Sequence, residues 1–300
     1  MATIKIDEII NSPEVLLPGN MACAGCGFTI AYRSAISAVK NPIVVIPACC
    51  AAVVESAHPN VSYAVNTVNI AFAAHASTAS GIARAKQKRG EEATVIVWSG
   101  DGGSYDIGFA TISGAAERNE DMIHICYDNG FYGNTGAQRS GATPRGAVTT
   151  TTPAGKEEKR KSLARIMMMH DIPYIATASS GYPRDLYAKV RRASEIKGFK
   201  FILIDCPCPT GWDYDPKLTV DLAKKAVESG LFPLYEYENG KLTFNGKSKI
   251  LAKDWSKRIP LQEFLKPQGR FKRMKDETIA LLEQDIENEW NILKKFSEES

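Results

Sequence analysis

A doubly wound, mostly parallel α/β sheet followed by a C-terminal hairpin and helical extension is the architecture that the sequence predicts. Three observations carry the expectation. Short runs rich in Val, Ile and Leu recur along the first two thirds of the chain, stretches with helical character separate them, and the pattern changes after Trp212. Near-continuous apolar runs suit strands covered on both faces, and their alternation with helices favours parallel crossovers.

In chain order the strand candidates are Ile43–Ile46, Thr94–Trp98, Met122–Tyr127, Tyr174–Thr177 and Phe201–Ile204. Helices are expected at 27–39, 67–88, 106–118, 158–169 and 183–196. Beyond Trp212, strands Leu234–Tyr237 and Leu242–Phe244 flank Asn239-Gly240, a dipeptide suited to a two-residue hairpin turn. Ile279, Leu282, Ile286, Trp290 and Leu293 follow at steps of three and four, which makes one apolar stripe on a helix. That stripe suits packing on its own domain and gripping a partner equally. The basic stretch Lys266 to Lys275 has one aromatic residue and no nucleic-acid motif, so a solvated linker is expected there. The expected organisation is an α/β domain over 1–212 and an extension over 213–300 that packs on it and on partner subunits.

Composition excludes several classes. The 300 residues are 44% hydrophobic and 24% charged, which rules out disordered, collagenous and coiled-coil chains. A net charge of +3 is too small to argue for nucleic acid. No run of 18 apolar residues exists, so no helix is expected to span a membrane. Met1-Ala2-Thr3-Ile4-Lys5 lacks the basic-then-apolar pattern of a secretion signal, which predicts a cytoplasmic chain.

The seven cysteines stand at 23, 26, 49, 50, 126, 206 and 208. An odd number in tight spacings, without a secretion signal, points to metal or redox chemistry rather than a disulfide framework. Cys23-Ala24-Gly25-Cys26 allows a zinc knuckle, a redox pair or iron–sulfur ligands. Further cysteines near other strand ends disfavour the redox pair. The four histidines, at 58, 75, 124 and 170, show no zinc spacing. His75, among small residues, reads as a packed core histidine, and Cys126, within an apolar run, as a small buried hydrophobe.

A second signal follows the strand ending at Trp98. In Ser99-Gly100-Asp101-Gly102-Gly103 the glycines let backbone N–H groups approach phosphate oxygens, and Asp101 offers a hard oxygen ligand. By itself Gly-Asp-Gly is an ordinary turn. The next strand, however, ends in Asp128-Asn129-Gly130-Phe131, placing Asn129 at an adjacent strand end, where open α/β sheets bind ligands. A carboxylate, an amide oxygen and a loop carbonyl can complete the octahedron of a Mg²⁺ ion that bridges a diphosphate.

Gly-Asp-Gly with an Asn nearly thirty residues later resembles the thiamine-diphosphate fingerprint. More narrowly, Gly100 through Gly108, Tyr127-Asp128-Asn129 through Asn134-Thr135-Gly136, and Gln138 to Ala147 resemble the β subunit of 2-oxoacid:ferredoxin oxidoreductases. The similarity extends from about Gly19 to Trp212, nearest to pyruvate:ferredoxin oxidoreductases with separate subunits. The resemblance implies the thiamine-diphosphate-binding fold, with Gly100, Asp101, Gly102, Asn129, Phe131 and Asn134 holding the cofactor. It further implies that Asp101 and Asn129 bind Mg²⁺ through side chains, Phe131 through its carbonyl, and that Asn134 faces the reacting end of the thiazolium. Cys50-Ala51-Ala52-Val53-Val54 and Cys208-Pro209-Thr210-Gly211-Trp212 match the family's third and fourth cluster ligands. Cys23, Cys26, Cys50 and Cys208 are therefore expected to hold one [4Fe–4S] cluster, with Cys49 and Cys206 as adjacent non-ligands.

The implied activity is oxidative decarboxylation of a 2-oxoacid, pyruvate to acetyl-coenzyme A and CO₂ first. Its electrons pass singly through the cluster to ferredoxin. Other 2-oxoacids (2-oxobutyrate, branched-chain oxoacids, oxalate, 2-oxoglutarate, indolepyruvate) are alternatives. Outside the class stand an iron–sulfur electron-transfer protein and a structural zinc protein. No Glu matches the residue that activates the cofactor, and Phe28 stands where some relatives have an acid. An α-type subunit is therefore expected to bring that Glu and the substrate contacts, alongside γ-type and ferredoxin-like δ-type subunits. Arg139 and Arg145 suit coenzyme A phosphates, a substrate carboxylate or interface roles.

Overall fold

The computed structural model describes residues 6–298; the segment 1–5, on which the leader expectation rests, lies outside the described residues. Among the described residues, eight strands form one sheet in the order β2-β1-β3-β4-β6-β5-β7-β8. They are β1 Pro42–Pro47, β2 Asn66–Ile70, β3 Thr94–Gly100, β4 Met122–Asp128, β5 Tyr174–Ser179, β6 Phe199–Asp205, β7 Tyr235–Glu238 and β8 Lys241–Phe244. The first six run parallel. β7 then pairs antiparallel with β5, and β8 with β7.

Alternation within the strands shows why both faces are covered. Val95 and Val97 of β3 enter one apolar cluster, while Ile96 and Trp98 enter the other. Helices Gly27–Ile36 and Pro183–Glu195 supply one layer through residues such as Tyr32 and Leu186. Helices His75–Arg89, Phe109–Glu117 and Thr219–Glu228 contribute to the other. Burying both faces removes apolar area from water on two sides, the main favourable contribution to such a sheet.

The expected hairpin forms, with Asn239 and Gly240 both at positive φ, and it extends the main sheet. Leu282, Ile286, Trp290 and Leu293 of helix Asp276–Glu298 are buried in the chain's own core, which settles that stripe as self-packing. Trp290 stacks on Phe244 at 5.1 Å and donates its indole N–H to the Gly230 carbonyl.

Three expected elements differ. Residues 67–88 are not one helix: β2 comes first, then a 3₁₀ turn Phe72–Ala74, then helix His75–Arg89. β2 is an edge strand whose polar Thr67 and Asn69 side chains hydrogen-bond to the buried Glu55 carboxylate, which hid its strand character. The helix expected over 158–169 is only Leu163–Met168, because Arg160 and Lys161 reach instead to Asp128 and Asp106. Within 266–275, Gln268, Arg270 and Phe271 are buried, so that stretch is no solvated linker. Among the described residues, no helix is long and apolar enough to cross a membrane.

The connections leaving β1 and β3 run to opposite sides of the sheet, β1 to β2 and β3 to β4. A crevice opens where neighbouring connections diverge in this way, at the carboxyl ends of the two strands. Cys49 and Cys50 follow β1 there, and Asp101 follows β3.

Candidate functional site

β3 delivers Gly100 and Asp101 to the crevice, and the chain continues into a single π-helical turn, Gly102–Ile107. Such turns concentrate at functional sites because the widened ladder re-aims backbone groups. Asp101 is 1% exposed, and Ser140 Oγ donates to its Oδ2. Burial, and after it the negative charge of Asp128, push the Asp101 carboxyl well above the usual carboxylate range. A carboxylate so desolvated ionises only with a positive charge beside it. The Tyr132 ring closes over Gly102, while its hydroxyl donates to Asp106 Oδ2 at 3.1 Å.

The expected ligand trio converges at this point. The inward Asn129 side-chain atom lies 2.8 Å from the Phe131 carbonyl oxygen and 2.9 Å from Asp101 Oδ1. Both neighbours are acceptors. A nitrogen there would donate to each; an oxygen there makes a three-oxygen cluster that only a cation relieves. The Phe131 N–H, 3.3 Å from Asn129 Oδ1, favours oxygen. Octahedral Mg²⁺ with ligands at about 2.0–2.1 Å has adjacent oxygens about 2.9 Å apart, which matches the observed separations. The donor set therefore fits a hard dication. Among the described residues, no three His, Cys, Asp or Glu side chains converge on a single metal-ion position, so the trio relies on its amide and main-chain oxygens.

A cavity of about 100 Å³ contains this trio and is lined also by Gly100, Gly102, Cys49 and Asn134. A larger one, about 400 Å³, lies beside it, and Cys23, Cys26, Cys50, Cys206 and Cys208 line its wall. Cys50, Tyr127, Asn129, Phe131, Gly133 and Asn134 belong to both cavities. The thiols are placed by local structure: Cys26 caps helix Gly27–Ile36, Cys50 opens helix Cys50–Val54, and Cys208 precedes the turn Pro209–Trp212. Burial pushes Cys26 up to about 12, with Cys208 and Cys23 adding to it. Cys50 is likewise pushed up to about 12, by burial and then by Cys49, Cys208 and Cys26. Thiols that hold one another's protons on become ligands when positive charge arrives among them. A [4Fe–4S] cluster takes one thiolate at each iron, so its four sulfurs ring a cavity rather than meet at a point. The lining suits that arrangement.

The structure thus gathers all four expected cluster cysteines and all six expected cofactor residues around two adjoining cavities. Cys49 faces the smaller cavity and its thiol donates to the Pro47 carbonyl at 3.0 Å, which separates it from the four. Cys206 is buried yet reaches the larger cavity's wall, so lining alone does not set it apart. Cys126 is fully buried, as expected. His75 is also buried, and desolvation holds it down at about 4, a neutral core imidazole. Arg145 pairs with Asp285 and Arg139 lies 3.8 Å from Glu158; neither lines the two cavities. Sequence reasoning missed Ser140, Tyr132 and Trp212 as contributors, although all three stand inside the quoted motifs. Trp212 donates its indole N–H to the Asn129 carbonyl at 2.6 Å.

Comparison with known proteins shows the family. The family described as thiamine pyrophosphate enzyme, C-terminal TPP binding domain, matches residues 48–206. The pyruvate synthase subunit PorB of Methanothermobacter marburgensis is 40% identical over 93% of this chain and 97% of that protein. The ketoisovalerate oxidoreductase subunit VorB of Pyrococcus horikoshii is 41% identical over 95% of this chain and 94% of its own length. A solved 2-oxoglutarate:ferredoxin oxidoreductase from Magnetococcus marinus superposes with a TM-score of 0.60 at 22% identity, covering 94% of this chain and 97% of that one, a likeness of fold. The chain belongs to the β-subunit family of 2-oxoacid:ferredoxin oxidoreductases and carries that family's thiamine-diphosphate-binding domain.

Proposed function

We propose that this subunit serves oxidative decarboxylation of pyruvate to acetyl-coenzyme A and CO₂, with electrons leaving one at a time through a [4Fe–4S] cluster to ferredoxin in the cytoplasm. The observation that carries the proposal is the common wall of the two cavities, formed by six residues that include Cys50 and Asn134. When bound, thiamine diphosphate supplies the carbon that attacks a keto group and the ring that holds the electron pair released with CO₂. Asp101, Asn129 and the Phe131 carbonyl hold Mg²⁺ against the diphosphate, and Gly100 and Gly102 leave room for its oxygens. Asn134 orients the reacting end. Cys23, Cys26, Cys50 and Cys208 hold the cluster beside it.

Among the described residues no Glu lines either cavity, which supports a base supplied by an α-type partner, with γ-type and ferredoxin-like δ-type subunits completing the complex. That division leaves substrate choice largely to the partner. A branched-chain 2-oxoacid is the second reading, because a ketoisovalerate oxidoreductase subunit matches this chain as well as a pyruvate synthase subunit does.

The test is anaerobic co-expression with the partner subunits, metal and sulfide analysis, and a 2-oxoacid screen with coenzyme A and a viologen dye. Asp101→Ala is expected to abolish Mg²⁺-dependent thiamine diphosphate binding while iron persists. Unchanged cofactor binding would refute the assignment, and stoichiometric zinc without sulfide would refute the cluster.

A further inference from the structure

Trp212 closes a single turn whose other end is Cys208: its backbone N–H donates to the Cys208 carbonyl at 2.9 Å. The indole N–H of the same residue, in a side chain only 3% exposed, points the other way, to the main-chain carbonyl of Asn129. Between them, Gly211 lies so close to Phe131 that a Cβ there would stand 1.8 Å from the ring. One rigid turn therefore touches both the thiol cavity and two members of the oxygen trio.

The turn is itself held from outside. Arg270 places its guanidinium 3.7 Å over the Trp212 ring, its Nε donates to Gln268 Oε1 at 2.8 Å, and its carbonyl accepts from Val148. Phe264 meets the indole edge-on at 5.9 Å. Residues of the 213–300 segment thus pack against the tryptophan, and the Arg270 guanidinium also stands close to Gly130, between Asn129 and Phe131. A cation over a desolvated aromatic face adds attraction beyond packing.

We infer that Trp212 is a positioning residue that couples the thiolate cavity to the Asn129–Phe131 loop, so that occupancy of either site is felt at the other. The inference rests on the functional reading above. Coupling between two bound groups is reciprocal: whatever one does to the other's affinity is returned in equal measure. Shifting Cys208 moves the turn, which pulls on the Asn129 carbonyl, and shifting Asn129 reverses the path.

Trp212→Phe in the complete complex keeps an aromatic ring at the buried position and removes the N–H donor together with part of the indole's buried area. A lost hydrogen bond that strands a buried carbonyl predicts thiamine diphosphate with Mg²⁺ binding about three- to tenfold more weakly. Iron and sulfide are expected unchanged. In the wild-type complex the electron paramagnetic resonance spectrum of the reduced cluster is expected to change when thiamine diphosphate and Mg²⁺ are added, and in Trp212→Phe that response is lost. A purely structural tryptophan would lower the melting temperature and leave the spectral response in place. If Trp212→Phe assembles poorly, Arg270→Gln tests the same link from the other side, with a loss of the response again expected. A variant with full iron, wild-type affinity and an intact spectral response overturns the coupling alone. A wild-type complex without iron and sulfide overturns the functional reading and the coupling with it.

Discussion

Gly102 and Tyr132 offer a quantitative test of how the diphosphate loop is held. A methyl group on Gly102 would lie 2.5, 2.7 and 2.9 Å from three atoms of the Tyr132 ring. Ordinary carbon contacts are about 3.5–4.0 Å, so the ring must retreat by about 1 Å. Its hydroxyl holds Asp106 Oδ2 at 3.1 Å, and the same carboxylate oxygen accepts from the Gly141 N–H at 2.9 Å. Retreat therefore stretches a hydrogen bond to an anchored acid. Overpacking costs about 1–3 kcal/mol, and a strained hydrogen bond roughly 1 kcal/mol more. Because Tyr132 lines the small cavity, the displaced ring encroaches on the space the diphosphate uses. We predict that Gly102→Ala weakens thiamine diphosphate binding at least tenfold, measured by titration calorimetry on the complex. Adding Tyr132→Ala should recover part of that loss, since removing the ring removes the clash, and the double-mutant cycle reports the interaction directly. Wild-type affinity and melting temperature in Gly102→Ala would refute the reasoning.

Other expectations follow from the same structure. Trp290→Ala, which empties a site between Phe244, Trp255 and the Gly230 carbonyl, should cost about 3–5 kcal/mol and lower Tm by roughly 10 °C in a thermal melt. Cys23→Ser should reduce bound iron in a colorimetric assay, whereas Cys126→Ser, within a buried strand, should leave it unchanged; equal losses would contradict the assignment. His75 is held down at about 4 in the fold but takes a proton near 6.5 when unfolded. The unfolded chain then binds more protons between those values, so stability falls as pH drops from 6.5 through 4, by up to about 3 kcal/mol from this group. His75→Gln should flatten that part of a pH series of denaturant melts, and an unchanged slope would remove His75 as its source.

The central strands were legible because β1, β3, β4, β5 and β6 are covered on both faces, and double coverage leaves a continuous apolar signature. β2 was not, because it lies at the sheet edge and devotes Thr67 and Asn69 to Glu55. The 158–162 segment shows the same limit: its charged residues suit an exposed helix, yet Arg160 turns inward to Asp128 and the Tyr105 hydroxyl. For the site, the family resemblance rather than spacing singled out Asp101, Asn129, Phe131 and the four proposed cluster cysteines, and the fold places these residues around two adjoining cavities. Of the adjacent pair Cys49 and Cys50, only Cys50 lines the larger cavity, a difference in the direction of two neighbouring side chains after β1 that chain distance does not encode.

What this sequence determined by itself is therefore local and periodic: which segments must be buried, which residues end them, and which chemistry-bearing types stand at those ends. Tertiary structure alone decided which ends meet. The divergent connections of β1 and β3 bring Cys50 and Asp101 to one crevice although about fifty positions separate them in the chain. Residues 213–300 join the main sheet and reach back through Arg270 to steady Trp212 beneath the Asn129 loop. Such contacts arise from packing surfaces far apart in sequence, where shape and desolvation rather than periodicity select the partner.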